Sequence, residues 1–154
     1  MIPTTTRTRL GTQLDALALF INTLDADALT QRPPSDKWSI SEHIAHLGRY
    51  HEVFQMRMRR VLDEDRPNLG RYSAEGDSEF SSWLGLSPNA AVQSLKQRRA
   101  DLISFVQGLS AEQLARTGVH PVLGEMDIAL WLEFFLLHEA HHLYRVLWLS
   151  RTGA

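Results

Sequence analysis

The chain has 154 residues, with 16 Lys+Arg against 18 Asp+Glu, a formal net charge of −2 and 44% hydrophobic residues. That size suits one domain over residues 1–154 that buries roughly 68–70% of its unfolded surface. The balanced charge excludes the basic stripe of a nucleic-acid binder, and the absence of cysteine excludes a disulfide framework, a thiolate metal site and a cysteine nucleophile.

The first helical pattern covers about Thr5 to Leu24, where Leu10, Leu14, Leu17, Ile21 and Leu24 recur in steps of four and three and so share one face. Asp25–Leu29 adds a short turn. Gln31–Lys37 reads as a loop, because Pro33 and Pro34 stop a helix and Ser35 and Asp36 favour turns. A second helix starts at a capping box, Ser39 with Glu42 three residues on, and Trp38 stands where a staple against the helix would stand. Its stripe is Ile40, Ile44, Leu47, Phe54, Met58 and Val61, and at 1.5 Å per residue it runs about 37 Å to Asp63. Glu64–Leu86 reads as a long crossover draped over the bundle, with about one helical turn near Phe80 and Trp83.

Ser87–Pro88 is a cap followed by proline at the first helical position. Val92, Leu95, Leu102, Phe105 and Val106 form the apolar face of this third helix, Lys96, Arg98 and Arg99 read as its solvated side, and Gly108 ends it. Ser110–Leu114 looks like a short extra helix, and Thr117–Gly124 like a loop. From Glu125 or Asp127 a last helix runs without Gly or Pro to Thr152. No segment has a β period of any length. Four long amphipathic helices joined by one or two long links predict an all-α four-helix bundle.

The last helix carries His138-Glu139-Ala140-His141-His142. His138 and His142 are one turn apart on one face, a spacing that lets two ring nitrogens meet one metal ion. A third ligand must come from a facing helix, and the second helix offers His43, His46 and His51; spacing alone does not choose among them. The rival reading makes these histidines packing residues of the core or an interface.

At this point the residues resemble a family. Trp38-Ser39-Ile40 with His46-Leu47, then His120-Pro121-Val122-Leu123-Gly124-Glu125 and His138-Glu139-Ala140-His141-His142-Leu143, resemble the signatures of the DinB-like (DinB/YfiT) superfamily of metal-dependent enzymes, over nearly the whole chain. The resemblance implies a four-helix bundle with a metal held by His46, His138 and His142. It departs from the family pattern at Glu139, where many members have Asp, and at Arg145, where many have Gln.

Three imidazoles suit zinc, nickel or iron rather than Mg²⁺ or Ca²⁺, and three protein ligands with an open position suit catalysis. Relatives of known activity use bacillithiol, mycothiol or glutathione, so the expectation is an enzyme that activates a low-molecular-weight thiol, as an S-transferase does, or water, as a hydrolase does. Glu42, Glu139, His43 and His141 are candidates to support the ligands or move a proton. The competing class is a non-catalytic metal-binding or stress-response bundle protein. The expected partner is a small molecule, with no nucleic acid. No membrane partner is expected either, since Met1–Arg7 lacks a signal-peptide core and charged or imidazole side chains interrupt the last helix. Cysteine-free composition agrees with a cytoplasmic setting. A homodimer is expected through Trp131, Trp148 and Leu149.

Overall fold

The computed structural model describes residues 1–34 and 38–152. Its first bundle helix is α1 (Thr4–Thr12) continued, across a 3₁₀ turn at Gln13–Asp15, by α2 (Ala16–Ile21). It stops short of Leu24. A short α3 (Ala26–Thr30) follows, capped by the Asp25 carboxylate on the Ala28 amide at 2.8 Å. The expected loop is described as far as Pro34, and its remaining residues Ser35, Asp36 and Lys37 lie outside the described residues.

The second bundle helix, α4 (Ile40–Asp63), begins at the capping box read from the sequence. The Ser39 amide donates to Glu42 at 2.8 Å and the Glu42 amide donates to Ser39 Oγ at 3.2 Å, which satisfies two amides that a helix start leaves without partners. The link to the third helix holds a 3₁₀ turn at Ala74–Gly76 and a short α5 (Phe80–Leu84). Trp83 of α5 lies on Gly48 of α4 so closely that a Cβ there would run into the indole. The third bundle helix is α6 (Pro88–Gln107), capped by Ser87 and ended at Gly108. The short α7 (Ala111–Leu114) has its own capping box from Ser110 and Gln113. The last helix, α8 (Ile128–Thr152), is capped by Asp127, whose carboxylate accepts the Leu130 amide at 2.8 Å.

The expected Thr117–Gly124 loop is instead part of an antiparallel hairpin, β1 (Thr117–His120) paired with β2 (Gly124–Asp127), in the register Thr117↔Asp127 to His120↔Gly124. Glu125 is therefore a strand residue, not a helix start. Gly124 takes φ +77°, the left-handed conformation that a three-residue hairpin turn needs. Strands this short carry no alternation to read. Tertiary contacts hold them: the Val119 amide donates to Pro67 and its carbonyl accepts from Leu69, each at 2.9 Å.

Helix α4 is the central member, packed along α6, α8, α5 and α3, while α1 and α2 lie on α8. The core is two apolar clusters. One holds Phe54, Met58, Leu102, Trp131, Leu132 and Phe135, the other Leu17, Ile44, Leu47, Leu95, Leu143 and Val146. Trp131 and Leu149, which the sequence suggested for a dimer face, are buried inside these clusters. Among the described residues, no helix is long and apolar enough to cross a membrane.

Candidate metal centre

Each of the four bundle helices puts a polar residue between the two apolar clusters. Arg99 of α6 and Glu139 of α8 form an ion pair and are 5% and 0% exposed. The rest of the guanidinium is satisfied by the Leu10 carbonyl at 2.7 Å and by Nε2 of His51 at 3.1 Å. His51 donates from Nδ1 to the Leu47 carbonyl at 2.7 Å, which fixes Nε2 as the acceptor. Gln13 donates to Glu139 and to the Leu136 carbonyl, each at 2.9 Å. Burial and the nearby Arg99 charge pull the His51 imidazole down to about 3, so it is neutral.

Arg99 is thus not on a solvated face, and Glu139 points away from the histidines on either side of it. The sequence held a signal for both. Arg99 continues the Leu95–Leu102 stripe, His51 the Leu47–Phe54 stripe, and Glu139 the Phe135–Leu143 stripe. A polar residue at a core position on three different helices marks a buried polar layer, since none can be buried alone at acceptable cost.

One helical turn away, on another face of α4 and α8, the structure brings His46, His138 and His142 together. One ring nitrogen from each lies within 4.8 Å of the others. Nε2 of His46 and Nε2 of His138 are 3.1 Å apart. Two ligands of one tetrahedral ion, with bonds of about 2.0–2.1 Å, sit about 3.3 Å apart. His43, one turn before Leu47, turns its Nδ1 to Nδ1 of His142 at 3.0 Å, which leaves Nε2 of His142 for an ion and holds the ring's orientation. His46 is therefore the α4 residue that completes the triad, His43 stands behind it, and His51 belongs to the other layer. Exposed His141 lies beside the His142 ring, 5.1 Å between centroids. Glu42 serves the helix cap and pairs with Arg32. Arg145 lies over Trp148, 4.9 Å from the ring centroid.

Among the described residues, Nδ1 of His46 and Nδ1 of His138 are buried without a hydrogen-bond partner, and their Nε2 atoms meet each other. Aromatic rings wall it in: Trp38 packs 4.8 Å from His46 and 5.8 Å from His142, and Tyr50 packs 4.0 Å from His138. Trp38 does act as the helix staple, on the His43 ring at 5.4 Å. Burial pulls His46 down to about 4 and His138 to about 3, and it lowers His142 as well. All three imidazoles are neutral at pH 7 and carry ligand lone pairs. The donor set fits a divalent ion of borderline softness. His46 and His138 also line a cleft of about 390 Å³, with Tyr50, Tyr72, His120 and Phe134 around it.

The comparisons agree with this architecture. The profile of the DinB superfamily matches residues 9–145. A protein of Halalkalibacterium halodurans, named "Putative metal-dependent hydrolase BH0277", is 27% identical over 90% of this chain and 79% of its own length. The protein YuaE of Bacillus subtilis is 26% identical over 78% of this chain and 82% of its own. The structure of YfiT from Bacillus subtilis, described as an unusual four-helix bundle topology, superposes with a TM-score of 0.76 at 18% identity, over 96% of this chain and 85% of that one. The crystal structure of a mycothiol-dependent maleylpyruvate isomerase superposes with a TM-score of 0.75 at 12% identity, over 92% of this chain and 59% of that one.

Proposed function

The chain belongs to the DinB superfamily, and on that premise we propose that it is a divalent-metal-dependent enzyme in which His46, His138 and His142 hold the ion. The observation that carries the reading is the convergence of one ring nitrogen from each of three neutral imidazoles within 4.8 Å, beside a cleft. Zinc, nickel and iron are the ions this donor set takes. When bound, such an ion acts as a Lewis acid that activates water near neutral pH or stabilises the anion of a low-molecular-weight thiol.

The chain's own residues do the rest. His43 orients His142, Trp38 and Tyr50 exclude water from the ligand rings, and the cleft brings the substrate to the side of His46 and His138. With no cysteine in the chain, a reacting thiol is a cosubstrate. The name of the Halalkalibacterium halodurans relative favours water as nucleophile, and the mycothiol-dependent neighbour favours a thiol.

The test is elemental analysis of protein purified without a His-tag, with His138→Ala alongside. About one equivalent of zinc, nickel or iron per chain, absent from the variant, is expected of a three-ligand site. Screens of thiol transfer and of ester or amide hydrolysis on the loaded protein then separate the two chemistries. Failure to take up any of the three ions would sink the reading. Metal binding without turnover of either class would leave a metal-binding module.

A further inference from the structure

Among the described residues, seven of the chain's fourteen arginines pair with a carboxylate, Arg32 with Glu42 among them. Arg9 pairs with Glu133, Arg49 with Asp77, Arg60 with Glu64, Arg66 with Glu125, Arg98 with Glu52 and Arg99 with Glu139. The two arginines that line the cleft beside the histidines, Arg57 and Arg71, have no carboxylate partner among the described residues. Among the described residues, no acidic side chain lines that cleft. Glu75, which bears on His46 electrostatically, lies outside its lining.

Arg57 is also held in place. Its guanidinium donates to the Gly70 carbonyl and, at 3.4 Å, to the Tyr50 hydroxyl, and the Tyr50 ring lies 4.0 Å from His138. The chain Arg57–Tyr50–His138 thus fixes a positive charge at a set distance from the histidine cluster. His120, at the hairpin turn, accepts the Val122 and Leu123 amides on Nδ1 at 3.2 and 3.1 Å, which keeps its ring on the cleft wall. Burial and the charges of Arg57 and Arg71 hold that imidazole below its ordinary value. A guanidinium without a carboxylate, partly withdrawn from water beside an apolar wall of Val122, Leu123 and Phe134, is a site for an anion.

Resting on the metal reading above, we infer that this cleft selects small molecules that carry a carboxylate, seated on Arg57 and Arg71 with the reacting group turned to His46 and His138. The recognition is by fork-shaped donors to a planar anion, with Phe134 and Leu123 against the carbon skeleton.

The test uses two thiols of near-equal size, 3-mercaptopropionate and 2-mercaptoethanol, titrated against the cobalt-loaded full chain and read by the thiolate-to-cobalt absorption. The carboxylate thiol is expected to bind about tenfold tighter or more, as one charge-assisted pair allows. That ratio falls toward one in Arg71→Leu and in Arg57→Leu/Arg71→Leu; the single variant, at an exposed position, keeps the test independent of folding. Equal affinities in the parent chain, or a ratio that survives both variants, overturn the inference while leaving the metal site intact. If the chain takes up no cobalt, the metal reading fails and calorimetry of succinate with the metal-free protein decides the cleft. Binding that is lost in Arg71→Leu supports the anion seat, and no binding, or binding indifferent to that variant, overturns it.

Discussion

The layer of Arg99, Glu139 and His51 and the cluster of His46, His138 and His142 both draw on α4 and α8, and all of these residues except the half-buried His138 are buried. They differ in how their polar atoms are met. In the layer, every group that carries charge or a lone pair faces a protein partner from another helix, so it closes on itself and ties all four bundle helices together. In the cluster, among the described residues, two Nδ1 atoms have no partner, and the facing Nε2 atoms of His46 and His138 have only each other. A buried polar group costs about 1–3 kcal/mol when unpaired. On the proposed reading, a cost borne at one place and avoided one turn away marks the first place as the one meant for a ligand.

The largest expected effect breaks the comparison at metal content. His46→Ala, His138→Ala and His142→Ala each take the ion from about one equivalent to none by mass spectrometry, whereas His51→Phe retains it. Retention in the three ligand variants would erase the distinction. Stability comes next, with the roles reversed. Arg99→Met strands the Glu139 carboxylate and costs about 3–5 kcal/mol in urea unfolding, and Arg99→Met/Glu139→Leu regains more than half of it because no charge is left buried. In the metal-free protein, His46→Phe costs about 1–2 kcal/mol, since it leaves one nitrogen of His138 without its neighbour.

A smaller effect tests the support behind the ligands. His43→Phe removes the acceptor for His142 and weakens metal binding about 10–100-fold in a chelator competition, with helical content unchanged. The smallest is a pH slope in the metal-free protein. His46 near 4, and His138 and His51 near 3, all lie below the unfolded value of 6.5. The unfolded chain therefore takes up protons first, and stability is full above about pH 6.5 and drains as the pH falls toward 4. In His46→Phe, proton uptake on unfolding near pH 5 falls by about one. An unchanged slope would mean that this imidazole is solvated in the folded chain.

Much of the bundle was legible because the signals were local. Ser39 with Glu42, Ser87 with Pro88, and Gly108 each mark a helix end through bonds that span a few residues. Their geometry does not depend on what lies across the core. The hairpin was hidden because its strands are four residues long and are stabilised by Pro67, Leu69 and the Trp131 indole, which donates to the Gly118 carbonyl at 3.4 Å. By its charge Arg99 reads as a surface residue, but its place in the Leu95–Leu102 stripe points inward.

By itself, the sequence determined the four helical stretches, the caps of the second and third and the one-turn spacing of His138 and His142, since an α-helix turns by about 100° per residue whatever surrounds it. Only the tertiary structure decided that His46 meets that pair, that His43 supports it and that His51 joins Arg99 and Glu139. The three α4 histidines point in three directions, and all are buried because α4 is packed on several sides. Which direction finds which partner depends on the rotation and register of α4 against α6 and α8. The packing of both apolar clusters sets these together, and no local stretch of chain encodes them.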